Sequence, residues 1–145
     1  MKHTEIANDL FSKRYYCSQA VFASFAEELG ISKELALKTG ACFGGGMCKA
    51  EVCGACTGAL MALGMKYGMS ADGDFESQNT ANEYAVRFLD EFAEINGSYI
   101  CRELLKCDIS TDEGKVYARQ NGLFAKECPK LIESAVLIVE KLINE

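Results

Sequence analysis

The chain is short of proline, histidine and tryptophan, with one, one and none in 145 residues. A single proline, Pro129, leaves little to interrupt helices. The single histidine, His3, sits near a terminus prone to fraying. There is thus no Cys–His or Ser–His pair for nucleophilic catalysis and no His-containing zinc site. Positive charge is also scarce. Fifteen Lys and Arg stand against 21 Asp and Glu, a net charge of −6. Backbone-binding proteins rely on clustered cations, so no nucleic-acid partner is expected. Long apolar runs are missing too. The stretch MKHTEIANDLFSKRYY has neither the apolar core nor the cleavage site of a secretory signal. No segment approaches the roughly 18 apolar residues of a membrane span, so no membrane insertion is expected. The expected setting is cytoplasmic, where thiols stay reduced.

Cysteine is abundant: the chain carries eight. That is below the roughly 8–10% that marks a disulfide scaffold, and 49% hydrophobic residues are enough to build a core without staples. In a reducing compartment such an excess points to metal ligation or redox chemistry. The alternative for any one position is a small buried hydrophobe.

Helical periodicity dominates, and no stretch reads as a strand. A first helix is predicted over Thr4–Phe11. A second runs from Cys17 to Leu29, with Cys17, Val21, Phe25 and Leu29 on one face and Gly30 as its stop. Ser32 caps a third through Lys38. The glycine-rich run Gly40-Ala41-Cys42-Phe43-Gly44-Gly45-Gly46-Met47-Cys48 breaks the pattern. Further helices are predicted over Glu51–Tyr67, Asn79–Ile95 and Ser98–Leu105, with 68–77 a polar turn region. Another runs from the capping pattern Ser110-Thr111-Asp112-Glu113 to Gln120, and a last one starts near Glu127 with Pro129 in its first turn. The expectation is one all-α domain over 1–145, a compact bundle of roughly six to eight helices.

The chemistry concentrates at Cys42…Cys48-Lys49-Ala50-Glu51-Val52-Cys53-Gly54-Ala55-Cys56. Cys53 and Cys56 form a Cys-x-x-Cys pair at a helix start, where unpaired N–H groups and the helix dipole favour a thiolate. They are the candidate catalytic thiols of an exchange enzyme. Cys48, Cys53 and Cys56 have the C-x4-C-x2-C spacing of plant-type ferredoxins, although those are not helical proteins. Gly54, Ala55, Gly58, Ala59 and Ala62 form a small-residue strip that suits close helix packing, or a cofactor seat. Cys17, Cys101 and Cys128 fall near predicted helix starts, so three helix ends aimed at one point would each deliver a thiolate. Cys42 and Cys107 read as packing residues. The triple glycine is not a phosphate loop, because no Gly-Lys-Ser/Thr follows it. Thr57 after Cys56 removes the haem-attachment motif.

These segments resemble a known family, the redox-active proteins of the C_GCAxxG_C_C type. The resemblance rests on Tyr16-Cys17-Ser18-Gln19-Ala20-Val21, on Gly40 to Gly46 with Glu51-Val52-Cys53-Gly54-Ala55-Cys56-Thr57-Gly58, on Gly97 to Leu105 around Cys101, and on Lys126-Glu127-Cys128-Pro129. It implies four signature cysteines, Cys17, Cys53, Cys101 and Cys128. A related domain occurs in split-Soret cytochromes, which carry c-type haem and an iron–sulfur centre; lacking a haem motif, this chain can share only the second.

Three functions are therefore expected in competition. The favoured one is electron transfer through an iron–sulfur cluster, preferably [2Fe–2S], on Cys17, Cys53, Cys101 and Cys128, or on a subset of these with Cys48 and Cys56. The second is a dithiol–disulfide oxidoreductase or redox sensor using Cys53 or Cys56. The third is a zinc or copper(I) site drawn from the same six cysteines. The partner is a redox protein of unassigned identity, and a homodimer stays open.

Overall fold

The computed structural model describes residues 2–145. Nine α-helices and one wide turn make up the described chain: α1 (His3–Ser12), α2 (Cys17–Ser24), α3 (Ala26–Leu29), α4 (Lys33–Thr39), the turn Gly46–Ala50, α5 (Gly54–Tyr67), α6 (Phe75–Asn96), α7 (Cys101–Leu105), α8 (Asp112–Gln120) and α9 (Leu123–Ile143). The all-α expectation holds, but ten helical elements exceed the six to eight expected. Among the described residues no helix is long and apolar enough to cross a membrane.

Much of the extra count has a local cause. The predicted helix from Cys17 to Leu29 breaks at Phe25, whose φ of −103° and ψ of 2° leave the α-helical region. Ser24 Oγ donates to the Val21 carbonyl at 2.7 Å, the kind of back-bonding that bends helices. Phe25 also stacks on His3, ring centroids 4.3 Å apart.

The predicted helix from Glu51 starts only at Gly54, because Gly46–Ala50 turns separately. The long central helix begins at Phe75 rather than Asn79, since Asp74 accepts from the Ser77 N–H at 3.2 Å and caps it there. The last helix begins at Leu123, after left-handed Gly122, so Pro129 lies inside it rather than in its first turn. Two other starts fall as predicted: Ser32 accepts from the Leu35 N–H, and Thr111 from the Gly114 N–H.

The main core gathers one face each of α1, α2, α5, α6 and α9, with Phe25, Phe88, Phe92 and Ile132 fully enclosed. Burying such side chains contributes about 1.5–3 kcal/mol each. α2 and α5 share the most extensive helix–helix contact, and the small-residue strip is the reason. A Cβ on Gly58 would stand 2.5 Å from the Ser18 carbonyl oxygen, and one on Gly54 would overlap the Cys17 sulfur. The strip is therefore a helix seat. A second, smaller cluster of Ala50, Cys101, Leu105, Ile109 and Ala118 lies apart from the first, with Leu123, Phe124 and Cys128 packed against it.

Candidate functional site

Between the two clusters lies a cavity of about 630 Å³ lined by Cys17, Cys48, Cys53, Cys101 and Cys128. Three local devices bring these thiols together. The first is the α2–α5 crossing, which sets the first residue of α2, Cys17, against the N-cap of α5, Cys53. The second is an isolated antiparallel bridge, Val52 to Ile100. The Cys53 N–H donates to the Tyr99 carbonyl at 2.8 Å and the Cys101 N–H to the Glu51 carbonyl at 2.5 Å. Arg102 tightens this seam through the Ala50 carbonyl and the Glu51 carboxylate. The third is α9, which delivers Cys128 from its second turn and roofs the cavity with Phe124, Ala125 and Leu131.

The glycine-rich loop forms the remaining wall. Gly45, Gly46, Met47 and Cys48 follow one another with φ near +60°, and Ala50 has φ 55°. This left-handed turn costs about 1–2 kcal/mol at each non-glycine position. It presents Gly44 and Gly45 to the cavity. The Gly45 and Ser18 N–H groups lie near the Cys17 sulfur and favour its thiolate. A side chain at Gly44 would run into the Tyr16 ring. Ser18, fully buried, anchors the loop's start by donating to the Gly40 carbonyl at 2.7 Å.

Cys17 is the hub. Its sulfur neighbours that of Cys53, which in turn neighbours that of Cys56. A thiolate at Cys17 would oppose ionisation of both Cys101 and Cys128. The Cys53 contact and burial push the Cys17 thiol well above its ordinary value. At Cys53 the contact with Cys17 favours the thiolate, but the Cys56 contact and burial outweigh it and the thiol is raised. Burial, then Cys17, pushes Cys101 up to about 12. Cys128 is raised by the same two causes in the same order. The lowered thiol values expected from helix starts are thus reversed. Desolvation and neighbouring sulfurs outweigh the helix dipole, and α7, at five residues, has little dipole to offer.

Of the six thiols singled out by sequence, five line the cavity and Cys56 does not. Cys56 is fully enclosed in the main core, directly behind Cys53. Cys128 reaches the cavity without standing at a helix start. Cys107 packs on the smaller cluster and its thiol meets the Gly114 carbonyl at 3.1 Å. Cys42 is exposed rather than packed. All eight cysteines are free, and among the described residues no three Cys, His, Asp or Glu side chains converge on a point that would hold one metal ion.

Sequence reasoning missed the cavity's charged residues, Arg14, Lys115 and Arg119. Lys115 and Arg119 carry a weak signal, being four apart and so on one face of α8. Arg14 carries none, because its place depends on how the chain leaves α1.

An all-helical chain with thiols from four separate segments around one cavity belongs to the class of cysteine-centred helical modules. More particularly, residues 15–142 match the family model described as "Putative redox-active protein (C_GCAxxG_C_C)", and the chain belongs to that family. Neither the curated proteins nor the solved structures include a match.

Proposed function

We propose that this protein is a redox protein whose centre is an iron–sulfur cluster held by Cys17, Cys53, Cys101 and Cys128. The observation that carries the reading is that these four thiols, far apart in sequence, line one cavity around the Cys17 hub. The donor set fits: four thiolates are the common ligands of [2Fe–2S] and [4Fe–4S] clusters. A polynuclear cluster also spans a wider sulfur set than a single ion, which favours it over zinc or copper(I) at a cavity wall. When bound, the cluster would supply one-electron transfer. The protein's own part is to exclude water with Phe11, Leu104, Leu105 and Leu131, and to place the N–H groups of Gly45 and Ser18 near the Cys17 sulfur and that of Ala55 near the Cys53 sulfur. Such N–H groups tune the potential of a cluster. Cys48, exposed on the left-handed turn, is the spare ligand.

Anaerobic purification, followed by a visible spectrum and iron and sulfide assays, tests the reading. Iron and sulfide in stoichiometric amounts, lost in Cys17→Ser, are expected. A colourless, iron-free, folded protein would overturn it.

The Cys17–Cys53 sulfur contact favours a second reading, dithiol–disulfide exchange. There the pair closes to a disulfide while an incoming disulfide is reduced to two thiols, two electrons and two hydrogens passing between them. The raised thiol values predict that this exchange is slow at neutral pH and accelerates as pH rises. Free-thiol counts under oxidising and reducing conditions separate the readings; no reversible loss of thiols would exclude the second.

A further inference from the structure

The cavity has the volume of a small-molecule site, and its charge is one-sided. Its volume of about 630 Å³ lies within the roughly 300–1,000 Å³ of small-molecule sites. Phe11, Tyr15, Phe124 and Leu131 give it an apolar body. Its charged lining consists of Arg14, Lys115 and Arg119, with no carboxylate, in a chain that holds 21 acidic residues against 15 basic ones. Among the described residues none of these three cations takes part in a salt bridge, although seven other basic residues do.

Arg14 adds an independent observation. It follows the C-cap of α1 with φ 74°, in a turn closed by Arg14 N–H to Phe11 O at 3.0 Å and Tyr15 N–H to Leu10 O at 3.3 Å. Glycine is the usual occupant of that left-handed position. An arginine there is locally unfavourable, yet this exposed residue is part of the cavity lining.

We infer that the cavity binds a small organic anion, its apolar body against Phe11, Tyr15, Phe124 and Leu131 and its carboxylate or phosphate held by Arg14, Lys115 and Arg119. The inference deepens the redox reading and rests on it for the anion's role as substrate of that centre. Binding itself needs neither iron nor thiol oxidation, so either reading can fail alone.

Three probes with one apolar body separate charge from hydrophobicity: octanoate, octan-1-ol and octylammonium, with inorganic phosphate as a fourth, each titrated into the full-length protein by calorimetry. Octanoate is expected to bind tightest, by about tenfold over the alcohol given the strength of charge-assisted hydrogen bonds. That preference is expected to disappear in Lys115→Gln/Arg119→Gln. Arg14→Gly is expected to weaken octanoate binding while leaving the melting temperature equal or higher, which a purely structural arginine would not do. Equal binding of the three octyl compounds, no octanoate binding, or a preference that survives in the folded double variant would each overturn the inference. Phosphate binding as tightly as octanoate would overturn the organic-anion assignment.

Discussion

At the scale of single residues, the thiols set a pH dependence with a definite sign. Cys101 moves from an ordinary 9.0 to about 12 in the fold, first through burial and then through Cys17. Cys17, Cys53 and Cys128 shift the same way. In reduced, metal-free protein the unfolded chain therefore loses these protons near pH 9 while the folded chain keeps them. The stabilisation is complete below pH 9 and is lost as pH climbs towards 12. Denaturation midpoints measured from pH 7 to pH 11 are expected to fall above pH 9, and a flat profile would contradict the assigned environments. Loading with a thiophilic metal or cluster requires thiolates, so it is expected to release protons and to strengthen with pH. Ser18 gives a second residue-level prediction. Ser18→Ala leaves the Gly40 carbonyl without its partner in a buried setting. The expected loss is about 1–3 kcal/mol in chemical denaturation, with the glycine-rich loop loosened alongside.

At the scale of elements, α5 carries a built-in control. Gly58 and Gly64 share the helix, but a Cβ on Gly58 meets the Ser18 backbone while one on Gly64 meets nothing within 4 Å. Gly58→Ala is expected to destabilise by about 1–3 kcal/mol through overpacking, and Gly64→Ala to stabilise by about 0.5–1 kcal/mol through helix propensity. Thermal melts of the two variants check both signs. The same helix shows what was legible in the chain beforehand. Its small-residue strip, the start of α2 at Cys17, and the caps of α4 and α8 all followed from composition and spacing, because each depends on neighbours a few residues away. The rest depended on distant partners. The break at Phe25 reflects Ser24 back-bonding and the stack on His3. The Val52–Ile100 bridge is one residue pair, with no alternating pattern to announce it. The left-handed turn is foreshadowed by Gly45 and Gly46, yet it continues through Met47 and Cys48, which disfavour it. The thiol set was visible as residue types, whereas the cavity they line required the packing of α7, α8 and α9.

At the scale of the whole molecule, the site lies at a seam between unequal layers. Cys53 and Cys56 belong to the main core, with Cys17 against it, while Cys101 belongs to the smaller cluster, with Cys128 against it. Local stability follows the number of buried apolar contacts. Amide hydrogen exchange is therefore expected to be faster in α7 and α8 than in α2 and α5, and occupation of the cavity by a cluster is expected to slow α7 and α8 most. Equal protection throughout, or slowing confined to α2 and α5, would argue against a centre that straddles the seam. The geometry of the seam also orders events in time. Cys17 opens the second helix and Cys128 sits in the last. During synthesis Cys17 can meet Cys53 early, but the set is complete only when Cys128, 111 residues after Cys17, has been made. Loops that long close slowly compared with local helices, so the full set of cavity thiols is expected to assemble late. Until then the thiols stand as separate groups of ordinary acidity, and their raised values appear only once the fold is finished.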